Sequence, residues 1–345
     1  MTELHPLAVV PVALEVTALP KTDLHLHAES DARLDQLLAR LGRRTEHNWR
    51  AWVERLMAEF PPGLERLARL NGDLDAAELA SLDEGASYTQ ARLEIMMEEA
   101  AADGALYIEI RLGGASIHNE NLMQSFRAAE QKVQQTYPGF DAEAIITWGL
   151  ASDPAALAAC VSRSLEAAQE GLAGVDFGPF PYDAPAGFSE IYRLAEKAAA
   201  AGLGITCHVD EFAPANTLAA VGIPGLTRLG HAIHAARFPG ALEDLARRGI
   251  TIESCLSCNV VLGAVPSYHE HPIRRFIDAG VRVSLCSDDP VRVCTTIGRE
   301  YAIAGALGFS LEELRAFTAN GIEAAFTSNQ RKAALMTALE ASLPA

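Results

Sequence analysis

Basic residues are scarce in this chain. Lysine and arginine together number 28 against 45 aspartates and glutamates, leaving a formal net charge of −17. Nucleic-acid binding draws on clustered Lys and Arg against phosphates, so so acidic a chain speaks against it, and against anionic membrane surfaces. Long apolar runs are missing too. The N-terminal run Leu7 to Val16 is short, is broken by Pro11 and follows no basic segment, so it reads as neither a signal peptide nor a membrane span. It is expected to be an extra strand or arm packed on the body, and the expected compartment is the cytoplasm. Cysteine occurs only six times, several times inside apolar runs, as buried thiols in a reducing compartment do. Cys255-Leu256-Ser257-Cys258 has a redox or zinc-knuckle spacing, but no second cysteine pair or histidine pair completes it. There is no low-complexity tract.

What is present is ample material for a core. The chain has 345 residues, 49% of them hydrophobic. Short apolar runs alternate with helical patterns. The predicted strands are Thr22–Ala28, Ala105–Leu112, Ala144–Leu150, Gly174–Gly178, Gly204–Asp210, Leu226–Ala232, Thr251–Cys255 and Val283–Asp289. Helical stretches lie between most of them, such as Phe188–Ala201 and Gly240–Arg248, and Gly104, Gly202, Gly249 and Gly280 stand where helices would end. This alternation predicts an α/β fold, a (β/α)8 TIM barrel. A doubly wound sheet would need a glycine-rich phosphate turn after the first strand, and none follows Ala28. The helical pattern that does follow is too long for a simple crossover, so it reads as a helical insertion of about 30–102, broken at Phe60-Pro61-Pro62-Gly63. With no linker in sight, residues 1–345 are expected to form a single domain.

Ligand-type residues end several of these strands. His25 and His27 are two apart, so on a strand both point to one face, the interior of a barrel. His208 ends the fifth predicted strand, His231 the sixth and Asp288-Asp289 the eighth. Barrel enzymes build their sites at the C-terminal ends of strands, so these groups can converge. Imidazoles with a carboxylate suit zinc, with iron or manganese as less favoured options. A catalytic zinc lowers the pKa of water toward about 7, giving a hydroxide nucleophile that still needs a proton shuttle. Glu211 and His231 are the acid/base candidates. The other histidines, His5, His47, His118, His234, His269 and His271, are expected to be mostly structural or solvated.

At these residues the chain resembles the adenosine/adenine deaminase family of the amidohydrolase superfamily. That family opens with proline-lysine and a first-strand His-x-His, as in Pro20-Lys21-Thr22-Asp23-Leu24-His25-Leu26-His27. Its fifth strand ends in His-Ala-Gly-Glu, where this chain has His208-Val209-Asp210-Glu211. Its sixth gives Arg-Ile-Gly-His, here Arg228-Leu229-Gly230-His231. The seventh gives Glu-x-Cys-Pro-x-Ser-Asn, here Glu253-Ser254-Cys255-Leu256-Ser257-Cys258-Asn259, and the eighth Thr-Asp-Asp-Pro, here Ser287-Asp288-Asp289-Pro290. The blocks run in order from about residue 20 to Phe326. The resemblance implies one zinc ion per chain on His25, His27, His208 and Asp288. It implies that His231 orients or deprotonates the attacking water, that Glu211 protonates a ring nitrogen and that Asp289 holds the opposite ring edge. The implied reaction is hydrolytic deamination of an aminopurine, its nucleoside or a related aminated heterocycle. Cleavage of a cyclic amide, or a catalytically silent ligand-binding barrel, are the alternatives, and homo-oligomerisation stays open.

Departures from the family pattern lie on the substrate side. Asp210 replaces a glycine whose backbone meets the purine, and Glu29-Ser30 stands where the family has aspartate and glycine, the aspartate contacting ribose. Asp176-Phe177-Gly178-Pro179-Phe180-Pro181 replaces the fourth-strand pattern and is expected to remodel a pocket wall. Glu29 and Asp210 are therefore expected substrate contacts, with neutral drift as the alternative. Asp210→Gly is expected to shift preference toward adenosine or adenine.

Overall fold

The structure is a computed structural model that describes residues 4–28, 34–40, 42, 48–72, 86–150, 152–178 and 186–342. Eight parallel strands form one ring in sequence order: β1 (Lys21–His27), β2 (Ala105–Leu112), β3 (Asp141–Trp148), β4 (Gly174–Phe177), β5 (Gly204–Val209), β6 (Arg228–His231), β7 (Thr251–Ser254) and β8 (Arg282–Leu285). A parallel bridge between Leu26 and Asp288 brings the chain beyond β8 back to β1. This is the expected (β/α)8 barrel. β3 starts three residues before the predicted Ala144. β8 stops at Leu285, so Asp288 and Asp289 lie beyond it rather than at its end.

Between β1 and β2 the described residues include the helices Leu34–Arg40, Trp49–Glu59, Leu64–Gly72 and Ala86–Ala102, as the insertion predicted. The Phe60–Gly63 break separates two of them. Gly63, with φ 100°, donates its N–H to Leu262 O at 2.7 Å, and Arg66 reaches Val261 O at 2.8 Å. The insertion is thus tied to the segment following β7. The N-terminal run is an arm, not a strand. It holds only the short helix Leu14–Ala18, with Leu7 and Val10 buried. No helix of the described residues is long and apolar enough to cross a membrane.

The strands alternate in a way that divides two environments. On β2, Ile108, Ile110 and Leu112 are buried beside Tyr107, Glu109 and Arg111, which are buried too. Side chains of a strand alternate between faces, so one set packs under the helices and the other fills the barrel. The filling is ionic. Arg111 on β2 pairs with Glu253 on β7, and Arg228 on β6 with Glu109 on β2, the latter at 2.5 Å. These strands are not neighbours in the ring, so the pairs cross its interior. Phe326 closes the lower end, its ring 3.5 Å from the Arg228 guanidinium and filling space beside Gly174 and Gly204.

Candidate active site

β1 carries His25 and His27 into the barrel, and β5 carries His208. Their Nε2 atoms converge: His25 to His208 is 2.9 Å, His27 to His208 3.0 Å and His27 to His25 3.2 Å. Asp288 Oδ1 lies 3.6 Å from His25 Nε2 and 3.5 Å from His27 Nε2. The backbone places this carboxylate. Asp288 donates its N–H to His25 O at 2.7 Å and accepts from His27 N–H at 3.0 Å, so it is clamped between the two histidines of β1. Reaching that position requires a left-handed φ of 64°, an uncommon state that aspartate tolerates better than most residues. Asp23 adds a second clasp. It accepts from His25 N–H and Ser287 N–H, each at 3.2 Å, and from the Ser287 hydroxyl.

These four side chains fit a divalent metal. The His25 Nδ1 faces Glu253 Oε2 at 2.9 Å and the His208 Nδ1 faces Asp176 Oδ2 at 2.8 Å. Glu253 holds the His25 proton on Nδ1 and the Asp176 carboxylate stands beside the His208 Nδ1, so the Nε2 lone pairs turn toward each other, an arrangement that repels without a cation. Burial first, then the nearby Arg111, keeps His25 neutral, with its pKa well below the usual value. Donors about 2.0–2.1 Å from a shared zinc ion lie roughly 2.9–3.6 Å apart for the angles found in four- and five-coordinate sites. The measured separations span the same range. Burial pushes the Asp176 carboxyl up, but His208 and Arg111 outweigh it and hold it well below the ordinary value.

Three further groups face this cluster. His231 Nε2 lies 3.8 Å from Asp288 Oδ2 and 3.9 Å from Glu211 Oε2. Burial, then the other histidines, keeps His231 neutral. Burial, then Asp288 and Asp289, drives the Glu211 pKa well above the usual carboxylate value. These neighbours favour the neutral, proton-bearing form of Glu211. Asp289 is 7% exposed, and its Oδ1 has no hydrogen-bond partner among the described residues. A buried acceptor left open inside a polar cavity is suited to a ligand N–H.

The arrangement is that of a metal-assisted hydrolase with a proton donor at hand, and comparison with known proteins agrees. The family model described as adenosine deaminase matches residues 20–342. The chain belongs to the adenosine deaminase family. An adenine deaminase from Rhizobium rhizogenes is 33% identical over 263 residues, covering 71% of this chain and 78% of that protein. An adenosine deaminase from Klebsiella pneumoniae is 32% identical over 334 residues, covering 93% and 97%. A Burkholderia ambifaria amidohydrolase solved with bound zinc shares the fold, with a TM-score of 0.77 at 22% identity over 97% of this chain and 94% of that one. As a member of this metal-dependent family, the chain is a hydrolase that deaminates at a C–N bond.

Set within the deaminase family, the substrate-side departures look different from their sequence reading. The Asp210 carboxylate does not reach into the cavity. Oδ1 accepts from Ala215 N–H at 3.1 Å and Asn216 N–H at 2.8 Å, and Oδ2 from Thr217 N–H at 2.9 Å and the Thr217 hydroxyl. A φ of 47° turns it onto the loop that opens the helix Thr217–Ala220. Asp210 organises this loop, and both its carboxylate oxygens are taken up by those donors. Asp210→Gly keeps the backbone conformation available, since glycine adopts positive φ freely, but strands four donors. We expect about 2–4 kcal/mol of lost stability in urea unfolding, with the adenine-to-adenosine ratio of kcat/KM unchanged. A shifted ratio at full stability would restore the specificity role. Asp176 is likewise no pocket wall. It sits beneath His208, fully buried. Glu29 and Pro179–Pro181 lie outside the described residues.

Further residues shape the site without having been expected there from the sequence. Arg111 bonds Asp176 at 3.2 Å as well as Glu253, and Arg228 Nε lies 2.6 Å from Glu253 Oε1. Gly230 leaves room for the His25 ring, since a Cβ there would stand 2.8 Å from its Cε1. Cys258 replaces the serine of the family pattern. Its sulfur lies with Glu211 and Asp288 oxygens in a cluster no wider than 4.8 Å, and burial, then those acids, keeps it a thiol. All six cysteines are free.

Proposed function

We propose that this chain is a single-domain zinc enzyme of the cytoplasm that hydrolyses the exocyclic amine of adenine or its nucleoside. His25, His27, His208 and Asp288 would hold one zinc ion. The observation that carries this reading is the convergence of three Nε2 atoms within 3.2 Å of one another beside Asp288. When bound, zinc supplies an acidified water, so that hydroxide is at hand near neutral pH. His231 orients or deprotonates the attacking water. Glu211 gives its proton to the ring nitrogen beside the amine-bearing carbon, which draws electrons from that carbon. Asp289 Oδ1 accepts a hydrogen bond from the opposite ring edge. Water adds, the amine takes up a proton and ammonia leaves, so the net exchange is one NH3 for one water. Names of relatives support both adenine and adenosine as substrates. A neutral acid at Glu211 favours deamination over cyclic-amide cleavage and over a silent barrel, because ring protonation needs such a donor.

The test is elemental analysis of the purified chain joined to ammonia release from adenine and adenosine. About one zinc per chain and release from either purine are expected. Stoichiometric zinc with no ammonia from any aminopurine would overturn the substrate class. Absence of a metal requirement would overturn the site.

A further inference from the structure

His271 lies outside the cluster just described, yet it is connected to it. It stands before the short helix Ile273–Asp278, whose first amides have no partner within the helix. Ile273 donates its N–H to His271 Nδ1 at 3.2 Å. A backbone N–H can only donate, so Nδ1 is the acceptor nitrogen and the ring's proton sits on Nε2. His271 is 5% exposed, and burial lowers its pKa to about 3, so the ring is neutral. Its Nε2 faces Asn259 Oδ1 at 3.2 Å and donates to it. That fixes the amide, because turning Asn259 over would set N–H against N–H. Asn259 Nδ2 must then donate to His231 Nδ1, 3.1 Å away. A neutral imidazole that accepts at Nδ1 carries its proton on Nε2. The Nε2 of His231 is the atom that faces Asp288 and Glu211.

We propose that His271 and Asn259 are positioning residues that hold His231 with its proton on Nε2. His231 then meets the attacking water as a hydrogen-bond donor to its oxygen. It has no free lone pair on that side with which to take a proton. The inference rests on His231 being part of the reactive site, as proposed above, and it decides between the two roles left open there.

Nitrogen NMR of the 15N-histidine-labelled full chain reads the tautomer directly, with the His231 signals assigned by their loss in His231→Gln. Protonated Nε2 and bare Nδ1 are expected at His231. In Asn259→Asp the neighbour of Nδ1 can no longer donate, so the proton should move to Nδ1. kcat should then fall roughly 10²–10⁴-fold, as a histidine held in the wrong tautomer does, with KM within threefold and zinc retained. His271→Leu should lose part of this activity, and His271→Gln, which can still donate to Asn259, should recover it. A wild-type His231 protonated on Nδ1 would overturn the proposal, and so would unchanged tautomer and kcat in Asn259→Asp. If no aminopurine yields ammonia, the functional reading fails while the wild-type spectrum still decides this one.

Discussion

Glu211→Gln is expected to bind its metal normally and to lose about 10²–10⁴-fold in kcat, the range general acid catalysis supplies. The substitution is close to isosteric. Glutamine keeps an N–H that can face a ring nitrogen, but it has no proton to transfer. Binding should therefore survive and chemistry should not, which puts the loss in kcat while KM holds. The reason to expect so large a loss is the state of Glu211 in the folded chain. Burial and the two neighbouring aspartates favour its neutral form, and a carboxyl whose neutral form is favoured is suited to donate a proton. The measurement is steady-state ammonia release from protein of known zinc content. Turnover within tenfold of wild type would remove Glu211 as the proton donor. Loss of zinc along with activity would mean that Glu211 belongs to the metal's support.

His25 and His27 could be read from the sequence because their positions obey a local rule. Alternation along a strand puts both on one face, and β1 is a strand at those residues. Asp288 obeys no local rule. Regular structure ends at Leu285, and the carboxylate returns to the histidines through a left-handed residue and two backbone bonds to β1, more than 250 residues away in the chain. Its place after an apolar run was legible in the sequence, but the turn that carries it there was not. Asp210 shows the opposite failure. Resemblance put its backbone next to a ring, but the side chain follows its own φ and the free amides of the next turn, which no strand pattern encodes. Nothing in the spacing of His271 points toward His231, so the sequence reads it as structural or solvated. Its meaning comes from one backbone amide and one asparagine. The ionic filling of the barrel lies between these cases. Tyr107, Glu109 and Arg111 alternate visibly with Ile108 and Ile110, so two faces were legible. Which face was inside depended on carboxylates from β4 and β7, and those partners appear only once the ring closes.

Arg111→Met should show what that filling does. The Arg111 side chain is fully buried, bonds Asp176 and Glu253, and donates to Leu24 O at 2.5 Å. Burial opposes its charge, but Glu253 and Asp176 outweigh burial and raise its pKa above the ordinary value. Replacing it with an apolar chain of similar length leaves two carboxylates buried with less compensation, and breaking a buried pair on one side typically destabilises by about 3–5 kcal/mol. The same two carboxylates face the Nδ1 atoms of His25 and His208. Without Arg111 they should repel and drift, and the two imidazoles with them. Lost support of this kind commonly weakens metal binding about 10–100-fold. Urea unfolding of the metal-free chain reads the first effect, and competition with a zinc chelator reads the second. Arg228 forms an ion pair with Glu253 from the other side, so it offers a control. Arg228→Met should lose comparable stability, because its pairs are buried too. It should disturb zinc less, since it touches only Glu253 of the two carboxylates. Equal zinc loss in both variants would mean that general loosening of the interior, rather than the aim of His25 and His208, sets the affinity.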